Sequence, residues 1–224
     1  MLQKEYVTAR TERQPSVLST NKVLRNTYLL LSLTLLFSAI TAGVAMASNA
    51  APLGPIITLV GYFALLFTTS ALRNSPWGIA AVFALTGFMG YTLGPLLNFY
   101  LSLNGGSQIV MTALGGTGVI FLALSGYALV SRKDFSFLSG FLMVGILVAF
   151  LASLAGLFFQ MPALMLAVSA MFILLMSGLI LYQTSEIIHG GETNYIMATV
   201  TLYVAIYNLF TSLLMILGIM GSDD

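Results

Sequence analysis

Seven long apolar runs separated by short breaks dominate this chain. They cover residues 27–47, 55–72, 77–97, 109–130, 135–158, 162–182 and 195–220. As a helix, each is long enough to cross a hydrocarbon core of about 30 Å. A closed barrel does not fit, because its strands alternate strictly and need only about ten residues each. Charge decides the solvent. Only 7% of residues are charged and 58% are hydrophobic, whereas a soluble domain carries about a quarter charged residues. Most of the chain must therefore face lipid. The expected architecture is an all-α integral membrane protein, with a polar tail over 1–26 and a seven-helix transmembrane bundle over 27–221.

The first run ends in Ala45-Met46-Ala47, a cleavage-like pattern. It is nevertheless read as a helix, because it has spanning length and a long charged stretch precedes it. A net charge of +1 gives no basic footprint for a nucleic acid. The absence of cysteine excludes disulfides and thiolate metal sites.

Lysine and arginine set the orientation. With seven spans, the tail, the Arg73 turn, the Arg132-Lys133 turn and the loop over 183–194 share one side. All eight Lys and Arg residues then fall there, and the C-terminus ends opposite in Asp223-Asp224. The expectation is a cytoplasmic N-terminus and a periplasmic C-terminus.

Lipid tails are as apolar as leucine, so the helices must associate through close backbone approach and a few polar contacts. Gly87, Gly90 and Gly94 in helix 3, Gly115-Gly116-Thr117-Gly118 in helix 4, and Gly145, Ala149, Ser153 and Gly156 in helix 5 are read as such contacts. A phosphate loop at Gly115–Gly118 would need a lysine and a preceding strand. Helix 7 differs, because Thr201, Ala205, Asn208 and Ser212 form a polar-to-small stripe beside the pair Tyr203 and Tyr207. A helix with hydrogen-bonding groups at several levels should be surrounded by protein. Either these groups join helices, or they line a path for water or ions.

The sole histidine, His189, lies between Glu186 and Glu192, just before Gly190-Gly191. Glu186-x-x-His189 has di-metal spacing, but the second such motif and further glutamates are missing. Ser125 has no oriented base for hydrolysis. No catalytic residue, metal or cofactor is expected. Glycine here would end a helix, with His189 at the negative end of its dipole. The alternative is that His189 senses protons by changing its pairing with Glu186 or Glu192.

Several segments together resemble one family. They are Leu18-Ser19-Thr20-Asn21-Lys22-Val23-Leu24-Arg25-Asn26-Thr27-Tyr28, Thr86-Gly87-Phe88-Met89-Gly90-Tyr91-Thr92-Leu93-Gly94-Pro95 and Arg132-Lys133-Asp134-Phe135-Ser136-Phe137-Leu138. Ile187-Ile188-His189-Gly190-Gly191-Glu192-Thr193-Asn194-Tyr195, Leu202-Tyr203 and Asn208-Leu209-Phe210 complete them. With these, nearly the whole chain resembles the Bax inhibitor (transmembrane Bax inhibitor motif) family. The resemblance implies six helices wrapped around a central helix 7. Some members are pH-sensitive calcium leaks gated by two facing aspartates of helices 6 and 7. Here those positions hold Gln183 and Ala205, and an amide facing a methyl group cannot share a proton or grip a divalent cation.

Bacterial members of similar pattern interact with the membrane AAA protease FtsH. That implies a non-enzymatic protein of the bacterial inner membrane that modulates an FtsH-type protease, with the bilayer and the protease's associated regulators as further partners. The expected grip is the tail, with Met1, Leu2, Gln3, Lys4, Glu5, Arg10 and Arg13. The tail has no sustained apolar period and is expected to be disordered, as an unfoldase requires. The rival expectation is a proton or calcium path along helix 7. Its pore and sensor residues would be Gln183, Glu186, His189, Glu192, Tyr203, Ala205, Tyr207 and Asn208.

Overall fold

A computed structural model describes the backbone of residues 17–221 and the side chains from residue 22 onward. Seven α-helices follow in order: α1 Val17–Ala47, α2 Pro55–Leu72, α3 Trp77–Leu101, α4 Gly106–Ser131, α5 Leu138–Phe158, α6 Pro162–His189 and α7 Tyr195–Met220. All seven are long and apolar enough to cross a membrane, and no strand occurs among the described residues.

Helix boundaries depart from the apolar runs where polar residues are good helix formers. α1 starts at Val17, so the stretch 17–26, expected as part of the tail, is helical. Lys22 and Arg25 lie in this entry segment, where straight-chain side chains cost a helix little. α6 continues past Tyr182 to His189, which places Gln183, Glu186 and His189 on a helix rather than in the expected loop. Nothing in Gln183–Ile188 breaks a helix; Gly190 does, at φ 78. Gly191 N–H closes the end by donating to Glu186 O at 2.9 Å, the six-to-one bond of a Schellman cap.

α7 packs directly against α1, α3, α4 and α6, while α2 leans on α3 and α5 on α6. Four helices thus pack against α7, and α2 and α5 each pack mainly against another helix. α2 and α5 expose most of their surface, whereas α3 and α7 bury the most. The α1–α3 contact is the closest of the glycine-mediated ones. A Cβ on Gly90 would collide with the Ser38 backbone and the Thr41 side chain, and one on Gly94 with Ala45. Asn98 Nδ2 adds a bond to Met46 O at 3.2 Å. On α5, Gly145 receives Leu175 and Gly156 receives Met165, both from α6.

The helix 4 glycines behave otherwise. A Cβ at Gly115 or Gly118 would meet nothing within 4 Å, and at Gly116 only Leu213, at 3.5 Å. Their small size is not used for close approach.

Candidate functional site

Three connections meet at one end of the bundle, and α6 and α7 hold them there. Asn194 caps α7: its side-chain oxygen accepts from Ile196 N at 3.0 Å and Met197 N at 3.1 Å. Its amide nitrogen donates to Arg73 O at 3.0 Å and Asn74 Oδ1 at 2.9 Å, which ties the α2–α3 turn to the α6–α7 loop. On the other side, His189 Nε2 lies 3.1 Å from Arg132 O. Buried Ser185 completes that clasp, donating to Lys133 O at 3.2 Å and accepting from Phe135 N at 3.0 Å. The α4–α5 turn is thereby fastened to the last turn of α6.

His189 Nδ1 lies 2.9 Å from Ser185 O and 3.2 Å from Ser185 Oγ. As an imidazolium, both ring N–H groups have a carbonyl to donate to. As a neutral ring donating at Nε2, it can accept the Ser185 hydroxyl proton, which then leaves Lys133 O. The hydrogen bonds of His189 go to Ser185 and Arg132 rather than to Glu186 or Glu192. Glu192 Oε1 instead accepts from Asn194 N at 2.7 Å, and the Glu186 carboxylate lies against Gly191, where a Cβ would strike it. In the neighbouring turn, Asp134 accepts from Ser136 N at 2.8 Å. That bond, with the Ser136 hydroxyl and the positive charge of His189, holds the Asp134 carboxyl below its usual range.

The stripe on α7 is occupied by protein contacts. Tyr203 is 1% exposed; its hydroxyl meets Ser38 Oγ at 2.6 Å and donates to Thr86 O at 3.2 Å. Tyr207 OH meets Thr92 Oγ1 at 3.1 Å. Asn208 Nδ2 donates to Val204 O of its own helix at 2.8 Å, so the tyrosines, not the asparagine, join helices. Ala205 packs in an apolar layer with Met176, Ile180 and Leu209. Gln183 is buried and does not reach Glu186 or His189 by any hydrogen bond; it faces inward while they face the end of the bundle.

One further feature had a weak sequence signal. Asn before an apolar helix is a favoured N-cap, which would have found Asn194. Ser185 and the cluster of Tyr28 OH with Ser125 and Thr184 arise from tertiary packing and leave no local pattern. Met1, Leu2, Gln3, Lys4, Glu5, Arg10 and Arg13 lie outside the described residues. Among those described, no three His, Cys, Asp or Glu side chains gather to hold a metal.

The family model described as "Inhibitor of apoptosis-promoting Bax1" matches residues 20–222. The chain belongs to this Bax inhibitor family. Among relatives, the modulator of FtsH protease YccA of Escherichia coli is 55% identical, over 97% of this chain and 99% of its own. An uncharacterised protein of Pseudomonas aeruginosa is 55% identical over 90% and 91% of the two chains. An uncharacterised membrane protein of Vibrio cholerae is 47% identical over 96% and 97%. The loop clasp and the Tyr203 contacts both fall within the span matched by the Bax inhibitor model.

Proposed function

We propose that this protein is a non-enzymatic, multi-pass protein of the bacterial inner membrane that modulates an FtsH-type membrane-bound AAA protease. The observation that carries the reading is 55% identity to the Escherichia coli FtsH modulator over nearly the full length of both chains. Two physical features support it. The stretch Met1–Gln14 is polar and sits ahead of α1, suited to capture by an ATP-driven unfoldase. Behind it lie seven spans, which must leave lipid to be degraded and so would occupy the protease for long. On this reading the basic end, with Arg73, Arg132 and Lys133, faces the cytoplasm together with the tail.

The test is removal of roughly the first dozen residues, followed by pulse-chase turnover in cells that contain the protease. The truncated protein should persist several-fold longer while eluting as a folded species in mild detergent. Turnover as fast as that of the full chain would sink the tail mechanism, and failure to co-purify with the protease at all would sink the partnership itself.

A further inference from the structure

We propose that Gln183 and Thr27 hold internal water in a closed site where α1, α6 and α7 converge. Met176, Ile180, Gln183 and Ile187 recur at steps of four, three and four along α6, which places them on one face. Met176 and Ile180 pack with Ala205 and Leu209 of α7, and Ile187 packs with Ile196, Ala198, Leu202 and Tyr203. Gln183 is therefore a polar interruption of the face that α6 presents to α7, and unlike Ser169, which donates to Met215 of α7 at 3.1 Å, its amide nitrogen is unpartnered. It is 5% exposed, and its Nε2 has no hydrogen-bond partner among the described residues.

Thr27 supplies the second orphan. It is fully buried, its Oγ1 has no partner, and its carbonyl accepts from Thr199 Oγ1 of α7 at 3.2 Å. One residue along each chain, Tyr28 OH meets Thr184 Oγ1 at 3.3 Å, so α1 and α6 touch at this level. Thr27 and Gln183 thus each sit one residue from the place where α1 touches α6.

A buried donor without an acceptor is costly, more so where the surroundings are lipid and apolar side chains. A cavity water making two to four bonds resolves such a conflict. The ligand must offer a lone pair, because the amide hydrogens of Gln183 are positive. It must also be neutral, because every buried polar residue in the bundle is uncharged. Water meets both demands and a metal cation meets neither. On this proposal the apolar cluster holding Ile180, Ala205 and Leu209 closes the site on one side and that holding Ile187, Ile196 and Ala198 on the other. It is an enclosed site rather than a stage on a continuous path, and it is independent of any protease partner.

Radiolytic labelling of the purified protein in detergent tests this, with oxygen-18 water added before exposure. Bound water oxidises adjacent side chains, so the segment Ile180–Ile187 should be labelled well above Val82–Met89, which is equally buried. Equal background labelling of both segments would overturn the site. Near-isosteric variants give a second reading. With water bound, Gln183→Met and Thr27→Val each strand a partner, and should lower the apparent melting midpoint by about 2–4 °C. An unchanged or raised midpoint for Gln183→Met would overturn the proposal, since deleting an unsatisfied amide relieves its penalty.

Discussion

Asn194 does at one position what Ser185 and His189 do together at the other clasp, because its amide both accepts at the head of α7 and donates to the α2–α3 turn. Replacing it with alanine removes an N-cap, worth about 1 kcal/mol, and frees the Arg73 turn as well. Asn194→Ala should therefore lower the melting midpoint and speed proteolytic nicking near Arg73; nicking at the wild-type rate would show that the turn is held by other contacts. Tyr203 is a second such residue. Tyr203→Phe keeps the ring and deletes the bonds to Ser38 and Thr86, for a loss of about 1 kcal/mol. Ser38→Ala should cost less when Tyr203 is already Phe, and strict additivity in that double-mutant cycle would mean the two hydroxyls are not coupled. The sequence made Tyr203 visible as one of a pair at i,i+4 but could not name its partners, since Ser38 and Thr86 lie on α1 and α3 far along the chain. Gln183 was visible as a missing carboxylate and as a candidate pore residue; that its amide is stranded is a fact of packing.

Helices were more legible than sites, because hydropathy over some twenty residues averages out local exceptions. The ends were not, since Lys22, Arg25 and Glu186 are compatible with helix while interrupting an apolar run. Small-residue patterns were legible in part. Gly87, Gly90 and Gly94 of α3 lie against α1, yet Gly115 and Gly118 of α4 meet open space, and the same residue type gave no means of telling these cases apart. The difference is measurable. Gly90→Ala should force α1 from α3 and cost about 1–3 kcal/mol, whereas Gly115→Ala should be neutral or stabilise by up to about 1 kcal/mol by favouring helix. Thermal midpoints of the two variants in one detergent decide it: equal losses would mean that the α1–α3 crossing can spread at no cost, or that α4 buries its glycines against another molecule.

For the whole molecule, the question is whether the polar groups of α7 form a route or a set of joints. A route along α7 would use Tyr203, Tyr207 and Asn208, yet Tyr203 and Tyr207 spend their hydroxyls on α1 and α3, and Asn208 on its own backbone. At the level of Ala205 the path would cross an apolar layer with Met176, Ile180 and Leu209. A bare cation in such a layer pays a desolvation penalty that no oxygen ligand offsets. Purified protein in liposomes should accordingly pass no more calcium than empty vesicles at neutral or acidic pH, as read with an enclosed ion-sensitive dye. Asn208→Leu should leave that baseline where it was. Flux above empty vesicles that Asn208→Leu abolishes would mean that the joints open, and that the resting arrangement of α7 is one of two states rather than the working one.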